Sequence, residues 1–211
     1  MNKNIAAVLG LSILLGSCAS MVNKIEEPSY TVEQAHAGFE VRRYAPRVVA
    51  ETTVPGPADQ AGNQAFKVLA GYIFGKNKGD RKIAMTAPVT QTAESVRIAM
   101  TAPVTQSTSG QDGDYVVRFT MPANYTLATL PEPLDPKVQL RELPPVRVAA
   151  IKYTGRWTDE NYDEHLKLLR ERMTQAGLVA RGEPVYARYD APYIPWFMRR
   201  NEIWLELAPS P

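Results

Sequence analysis

Four side chains combine a residue type and a position that could ligate a metal. His36 lies in the turn Ala35-His36-Ala37-Gly38, and His165 borders the apolar face of a helical segment. Met85 and Met100 occupy equivalent positions in an internal repeat, where a thioether can either pack in a core or bind a soft metal. Each has a structural alternative, because a solvated loop suits His36 and core or surface packing suits the other three.

A cluster of cations follows the first helical segment, within the seven residues 76–82. Such a run is usually a solvated loop, but beside an apolar groove it could hold the carboxylates of an amphipathic ligand. The cations are Lys76, Lys78, Arg81 and Lys82. The groove would be formed by apolar residues of the preceding helix. These residues are Phe66, Leu69, Tyr72 and Ile73.

No recognised catalytic pattern occurs in the chain. It has no Gly-x-Ser-x-Gly elbow, no His-Glu-x-x-His pair, no phosphate-binding glycine loop and no dinucleotide fingerprint. The acidic residues between 159 and 164 are dense enough to suggest general acid/base chemistry. Their place in the first turns of a helix favours compensation of the helix dipole and solvation instead. The sequence therefore predicts no catalytic residue and no metal cluster.

The single cysteine, Cys18, excludes an intrachain disulfide and lies after an apolar run. That run, residues 5–16, is too short to span a bilayer as a permanent helix and is typical of a secretory signal. Leu15-Gly16-Ser17-Cys18 resembles the lipobox of bacterial lipoproteins, whose cysteine is acylated on sulfur after cleavage. The alternative is an ordinary buried cysteine near a cleaved signal.

The lipobox resemblance implies an organisation and a location for the whole chain. We expect a signal peptide over residues 1–17, a lipidated tether over 18–29 and one folded domain over 30–208. Ala19 and Ser20 resemble the residues that direct sorting to the outer membrane. The expected location is therefore the bacterial envelope, with a lipid anchor in the outer membrane and the domain facing the periplasm.

The charge and composition exclude several classes of protein. Lys and Arg number 24 against 22 Asp and Glu, a formal net charge of +2, which does not indicate a nucleic-acid partner. The hydrophobic fraction of 45% is ordinary for a globular protein. Seventeen prolines against thirteen glycines favour many bounded strands and loops over long helices.

The elements that position these residues are mostly strands. Two helical segments are predicted: one over residues 59–74, closed by Gly75, and one that begins at the N-cap Thr158 and ends at Gly177. The order of strands and helices predicts an α+β fold with a largely antiparallel sheet and two helices packed on it. The predicted strands are Tyr30–Gln34, Phe39–Tyr44, Arg47–Val54, Tyr115–Met121, Val138–Leu143, Val146–Tyr153, Val185–Tyr189 and Glu202–Leu207.

An internal repeat of nine identical residues, IAMTAPVTQ, occurs at 83–91 and again at 98–106. Within each copy, apolar residues alternate with smaller or polar ones, which is the period of a strand with one apolar face. The simplest arrangement is a duplicated strand whose two copies pair as a hairpin. Alternatively, one copy holds the core position while the other protrudes.

Six stretches of the chain together resemble the SOUL haem-binding protein family. The resemblance runs from about residue 30 to residue 208, and its most specific elements are Met-Thr-Ala-Pro-Val and Arg-Arg-Asn-Glu. The stretches are Phe39–Tyr44, Ala65–Asn77, Ile83–Val89, Phe119–Pro122, Leu130–Pro133 and Arg199–Trp204. The doubled Ile-Ala-Met-Thr-Ala-Pro-Val strand and the lipobox differ from the animal members.

This resemblance implies both a fold and an activity. The fold would be a pseudo-symmetric antiparallel sheet, distorted toward a barrel and flanked by two helices, similar to bacterial effector-binding domains. The activity would be non-covalent binding of haem or another tetrapyrrole in a groove beside the first helix. The cationic cluster would bind the propionates. The candidate axial ligands of the haem iron are His36, His165, Met85 and Met100.

Two other functions are compatible with the sequence. An envelope scaffold without haem could capture a protein partner at a sheet edge, since unpaired strands recruit other chains. A weak hydrolase, related to enzymes on effector-binding-like folds, would need a nucleophile and base that the sequence does not display.

Overall fold

The described structure is dominated by one large antiparallel sheet. A computed structural model describes residues 25–79, 97–109, 113–191 and 193–208. The predictions for Cys18, Arg81, Lys82, Met85 and the first repeat copy lie outside these residues. None of the helices in the described ranges is long and apolar enough to cross a membrane.

The described elements confirm the predicted order of strands and helices and add short pieces to it. In chain order they are β1 (Tyr30–His36), β2 (Phe39–Tyr44), β3 (Arg47–Pro55), α1 (Ala58–Ile73), β4 (Asn77–Lys78), β5 (Val104–Thr108), β6 (Asp114–Thr120), β7 (Glu132–Pro133), β8 (Gln139–Leu143), β9 (Val146–Tyr153), α2 (Asp159–Gln175), β10 (Ala180–Arg188), a 3₁₀ turn (Trp196–Met198) and β11 (Asn201–Leu207). Sequence patterns missed the two-residue strands β4 and β7, which pair only with each other.

The nine-stranded sheet has the order β1-β2-β9-β11-β10-β5-β6-β3-β8, and its neighbouring strands are antiparallel. It consists of two equivalent groups, β2-β9-β11-β10 and β8-β3-β6-β5, joined where β5 pairs with β10. Strands β2 and β3 are consecutive in the chain but belong to different groups, and so are β8 and β9. This arrangement confirms the predicted α+β class and the pseudo-symmetric sheet.

Each helix covers one group of strands. The apolar side of α1 packs on β3 and β6 through Ala61, Ala65 and Leu69. The second helix packs on β9, β10 and β11 through Tyr162, Leu169 and Met173. Burial of these side chains is the main contribution that the helices make to stability, at about 25 cal/mol per Å² of apolar surface. One core therefore lies beneath each helix.

Local signals set the ends of α2 as predicted. The hydroxyl of Thr158 accepts a hydrogen bond from the backbone N–H of Asn161, which satisfies one of the free donors of the first turn. Asp159 and Glu160 lie exposed in the same turn and favour the positive end of the helix dipole. At the other end, Gly177 adopts φ +68°, a left-handed conformation that terminates the helix.

The second repeat copy does not form a hairpin with the first over its strand residues. Only its last part, residues 104–106, lies in a strand, and that strand pairs with β6 on one side and β10 on the other. Both edges of β5 are therefore occupied. Residues 98–103 have no regular structure apart from a bridge between Thr101 and Glu26. Pro103 has no N–H to donate to a ladder, which agrees with the strand beginning after it.

Residues 25–29, which the sequence analysis assigned to the expected tether, contact the folded domain. The backbone N–H of Ala123 donates to Glu26 Oε1 at 2.7 Å, and Arg200 Nη1 lies 2.9 Å from Glu27 Oε1. The carbonyl of Ser29 accepts a hydrogen bond from the N–H of Ala45. This segment thus connects the two strand groups before β1 begins.

Candidate functional site

The apolar face of α1 is mostly core rather than an open groove. Leu69, Tyr72 and Ile73 are at most 1% exposed and pack against the sheet. The hydroxyl of Tyr72 donates to the carbonyl of Pro131 at 2.9 Å, which ties the helix to the segment before β7. These three residues, predicted to line a groove, therefore lie in the core between the helix and the sheet. An amphipathic helix buries its most apolar face first, and helical spacing alone cannot separate that face from a binding groove.

The flank of α1 carries apolar residues that do reach solvent. Phe66 is 36% exposed and rests on Phe119, with the ring centroids 5.5 Å apart. Phe74, two turns later, is 54% exposed, and Ala70 lies between them. Residues spaced by four share one side of a helix, and eight residues rise about 12 Å. Phe66, Ala70 and Phe74 therefore form a narrow apolar strip, called here the α1 strip.

Two lysines lie close in sequence to the α1 strip and are exposed. Lys67 follows Phe66 directly, and Lys76 follows the end of the helix. The methylenes of Lys76 lie over Gly71, where an added Cβ would come within 3.1 Å of the lysine Cδ. Gly71 thus leaves room for the Lys76 stem on the helix surface, while its ammonium group remains free to meet an anion.

The rest of the basic segment is held in place or already paired. The side-chain amide of Asn77 donates to the carbonyl of Tyr72 at 2.8 Å, which fixes the chain as it leaves α1. Lys78 forms an ion pair with Glu132 at 3.1 Å across the β4–β7 ladder. Two of the four predicted anion-binding cations, Arg81 and Lys82, lie outside the described residues, and Lys78 is paired. Lys76 is exposed and has no carboxylate within 4 Å among the described residues.

The two histidines among the candidate axial ligands do not lie near α1. His36 caps the β1–β2 hairpin, stacks on Phe39 with centroids 4.4 Å apart, and its Nε2 bonds Gln34. His165 lies on α2, stacks on Tyr153 and bonds the carbonyl of Asn161 through Nδ1. Both histidines are thus on the α2 half of the molecule.

Met100 is the described candidate that belongs to the α1 half. It is half-buried and packs against the core cluster that includes Leu69 and Ile73. The neighbouring backbone is held to the helix, because the N–H of Ile98 donates to the carbonyl of Ile73 at 2.8 Å. Core packing, one of the two roles predicted for this thioether, is the role that the structure displays.

A cavity of about 410 Å³ lies at the corner between β2 and β3. Its walls include Arg47, whose Nη1 is buried without a hydrogen-bond partner, and burial lowers the pKa of this guanidinium. The same walls carry the carboxylates of Glu26, Glu27 and Glu142. Three acidic groups against one cation disfavour a ligand with two carboxylates, so the cavity fits a dianionic molecule less well than the α1 strip.

The Arg-Arg-Asn-Glu motif meets the Phe39–Tyr44 stretch in a buried ionic cluster. Glu202 is fully buried, and its Oε2 accepts hydrogen bonds from Arg42, Tyr189 and Trp204 at 2.8–2.9 Å. Its Oε1 accepts two from Arg200. Burial opposes the charged form, but Arg42, the Trp204 indole and Arg200 outweigh it and lower the pKa of Glu202 below 4.5. This saturated carboxylate stabilises the fold and has no capacity left for a ligand.

The described residues contain no group of three His, Cys, Asp or Glu side chains that could hold a metal ion. The acidic residues of α2 that could have suggested catalysis are exposed on its first turns, as the dipole argument predicted. The sequence missed Ala70, Phe74 and Lys67 as site residues. Their signal was available, because Phe66, Ala70 and Phe74 follow one another at intervals of four.

Comparison with known sequences gives a single consistent family. A family model described as SOUL heme-binding protein matches residues 25–206. Heme-binding protein 2 of Mus musculus is 27% identical over 187 residues, covering 86% of this chain and 85% of the relative. Heme-binding protein 2 of Homo sapiens is 28% identical over 169 residues, covering 79% of this chain and 77% of the relative.

Comparison with solved structures supports the fold alone. The C-terminal domain of EcmrR superposes with a TM-score of 0.55 at 9% identity, covering 85% of this chain and 98% of that domain. A structure described as a hydrolase from Listeria innocua also gives 0.55, at 10% identity, covering 83% of this chain and 94% of that chain. The architecture is therefore shared with proteins of different description, and function has to be argued from the site.

Proposed function

Because the chain belongs to the SOUL heme-binding protein family, we propose that it binds haem or a closely related carboxylated tetrapyrrole non-covalently, without catalysing a reaction. We also propose that a lipid on Cys18 anchors it in the outer membrane of the bacterial envelope. The observation that carries the binding proposal is the exposure of Phe66 and Phe74 on the α1 strip beside two exposed lysines. A contiguous exposed apolar surface, unlike a single exposed side chain, is typical of a ligand-binding or interaction site.

The dimensions and chemistry of the α1 strip suit one face of a flat macrocycle. Phe66 and Phe74 provide aromatic contacts about 12 Å apart, and the small side chain of Ala70 leaves the surface between them low. Lys67 and Lys76 supply cations for two propionates. The buried residues of α1 keep the helix fixed, so the strip is present before the ligand arrives.

Haem, when bound, would supply an iron and an extended aromatic ring. On this chain the aromatic side chains would bind the ring and the lysine ammonium groups would hold the carboxylates. Met100 is the described candidate nearest the α1 core, whereas His36 and His165 accompany α2. We therefore propose binding that depends on the apolar strip and on charge more than on a histidine ligand.

Titration of haem into the full chain tests this function through the Soret absorption band. We expect saturable binding at micromolar protein. The double variant Phe66→Ser/Phe74→Ser should bind at least about tenfold more weakly, because two apolar contacts are lost. Val179→Ser is the matched control, since Val179 is also an exposed apolar residue but follows α2. Absence of a saturable Soret change would overturn the proposal, and equal binding by all variants would place the ligand elsewhere.

The lipid anchor rests on the Leu15-Gly16-Ser17-Cys18 pattern. Glu26, which bridges to Thr101 in the domain, follows Cys18 closely in the sequence. Mass spectrometry of the N-terminal peptide from bacterial membranes measures the modification directly. We expect a peptide that begins at Cys18 and carries acyl chains, and Cys18→Ser should release the protein from the membrane fraction.

Capture of a protein at a sheet edge is less well supported than ligand binding. The strand part of the second repeat copy, residues 104–106, lies inside the sheet between β6 and β10. In the described part of the chain, the strands at the two edges of the sheet are β1 and β8. Strand β1 carries a bulge between Val32 and Gln34, and Glu33 on it pairs with Arg43 and Arg147. Bulges and charges are devices that prevent edge pairing.

A further inference from the structure

The connection between β10 and β11 exposes the densest group of large apolar side chains in the described ranges. Tyr193 is 85% exposed, and Trp196, Phe197 and Met198 are 48%, 59% and 65% exposed. Residues 193–198 are called here the aromatic loop. Its 3₁₀ turn has no buried residue, so these side chains contribute little to either core. Four consecutive or near-consecutive apolar residues directed to solvent form a patch that needs a covering surface.

The base of the aromatic loop is held firmly, so its exposure is not a matter of loose packing. The carbonyl of Trp196 accepts a hydrogen bond from the N–H of Gly155, and that of Ile194 accepts one from Arg199 Nε. The guanidinium of Arg199 also lies over the ring of Trp157 at 4.4 Å. Polar contacts at the base of the aromatic loop therefore hold its apolar side chains in an exposed position.

The chemistry of the aromatic loop matches the interface of a lipid bilayer. Tyrosine and tryptophan are enriched at the level of the lipid headgroups, where one part of the ring is in apolar surroundings and the other is hydrated. Phe197 and Met198 can enter the acyl region beyond them. Arg156 lies 5.5 Å from the Trp196 ring centroid and is exposed, which places a cation where lipid phosphates would lie.

The tether reaches the domain beside the same loop. Arg200, two residues after Met198, forms an ion pair with Glu27 at 2.9 Å. From Cys18 to Ile25 there are seven residue steps, which span at most about 25 Å when fully extended. A lipid on Cys18 would therefore keep the start of the fold, and with it the base of the aromatic loop, close to the membrane.

We propose that the aromatic loop docks on the phospholipid bilayer and, together with the lipid anchor, sets the orientation of the domain. This inference rests on the proposed acylation of Cys18. A lipid anchor and a weak docking contact on one protein act together, because the anchor raises the effective concentration of the loop at the membrane. The end of the sheet where β10 meets β11 then faces the membrane, and the opposite end, where Val179 lies beside Ala208, points away.

Trp196 provides the readout. The full chain is extracted from bacterial membranes and reconstituted into vesicles of phosphatidylethanolamine and phosphatidylglycerol, with or without brominated acyl chains that quench tryptophan on contact. The other two tryptophans are half-buried or buried, so Trp196→Phe gives their background. We expect bromine-dependent quenching in the unsubstituted chain and its loss in Trp196→Phe. Phe197→Ser/Met198→Ser should weaken the quenching about threefold or more, because apolar contact area is removed.

Val179→Ser is the matched control, because it removes an exposed apolar side chain at the opposite end of β11 and should leave quenching unchanged. Acylated protein that floats with vesicles but shows no quenching of Trp196 overturns the docking and leaves the anchor intact. Unacylated protein that does not float overturns both. A blue shift of Trp196 on self-association without vesicles would assign the loop to a dimer contact and overturn the proposal. Haem titration of the same preparations reports the tetrapyrrole site independently.

Discussion

Glu202 on β11 and Glu51 on β3 are buried carboxylates in the two strand groups, and they differ in how completely the protein surrounds them. Each lies on the sheet face opposite the helix of its own group, because the neighbouring residues Ile203 and Ala50 pack under α2 and α1. Each is bonded by two arginines. Each is thus a buried carboxylate held by two cations. The cations of Glu51 lie on the neighbouring strands β6 and β8, whereas Glu202 is held by Arg42 on β2 and by Arg200, which directly precedes β11.

The difference lies in exposure. The side chain of Glu202 is 0% exposed and that of its partner Arg42 is 5% exposed, whereas Arg141, a partner of Glu51, is 58% exposed. Tyr189 and Trp204 complete the shell around Glu202 with neutral donors. A carboxylate isolated from water depends on its partners far more than one that solvent can reach. The Glu202 cluster of the α2 group is therefore closed to solvent, and the Glu51 cluster of the α1 group is more open.

Removing the Glu202 carboxylate should give the largest change in stability. Glu202→Ala leaves Arg42 and Arg200 as buried or half-buried cations without their shared anion. We expect the free energy of unfolding to fall by about 3–5 kcal/mol, measured by urea denaturation. Glu202→Gln, which keeps the shape and some acceptors, should lose less. A loss below about 1 kcal/mol for the alanine variant would show that the cluster is not a major source of stability.

Acid should weaken the α2 group in a way that depends on Glu202. Its pKa in the folded state is below the ordinary value of 4.5, since Arg42, Trp204 and Arg200 together outweigh the effect of burial. The stabilisation is therefore fully present above about pH 4.5 and is lost as the pH falls through the folded-state value. Unfolding followed from pH 7 to pH 3 should show this decline. The decline should be shallower in Glu202→Gln, and equal slopes in both proteins would contradict the assignment.

Glu51→Ala should lower the free energy of unfolding by less than Glu202→Ala does. Arg118 and Arg141 are partly or mostly exposed, so water replaces the carboxylate when it is removed. We expect a decrease of about 1–2 kcal/mol in the free energy of unfolding, because Glu51 itself is buried. Urea denaturation beside Glu202→Ala gives the comparison directly. If Glu51→Ala proved the more damaging substitution, exposure of the partners would not be the deciding variable.

Much of the fold followed from the sequence because its signals are local. Strand periodicity, the Thr158 cap and the glycine that ends α2 depend on a few adjacent residues, and the structure contains all of them. The order of the strands within the sheet, by contrast, could not be predicted from local signals. Pairing of β2 with β9 joins residues about a hundred positions apart, and no local pattern specifies such a partner. The resemblance to a known family, carried by six stretches, supplied what periodicity could not.

The candidate site was predicted only in part, for a physical reason. Helical spacing identified the apolar side of α1 but could not show that Leu69 and Ile73 face the sheet while Phe66 reaches solvent. The same spacing assigned no role to Phe74, which lies at the helix end. The positions of His36 and His165, both far from α1, depend on the tertiary structure, and no local sequence pattern indicates them. Likewise, the arginine and glutamate of the buried cluster, Arg42 and Glu202, lie 160 positions apart.

The crossing of β2 and β8 between the two strand groups has a consequence for how the chain can be divided. The first half of the chain contributes β2, β3, α1, β5 and β6, and the second half contributes β8, β9, α2, β10 and β11. The first strand of each half pairs with a strand of the other half, β2 with β9 and β8 with β3. This is the connectivity of an intertwined homodimer whose two subunits have been fused into one polypeptide. Neither half has a complete sheet without the other. Two separately expressed halves should therefore need to fold around each other, and a cut between them should leave a complex rather than two independent domains.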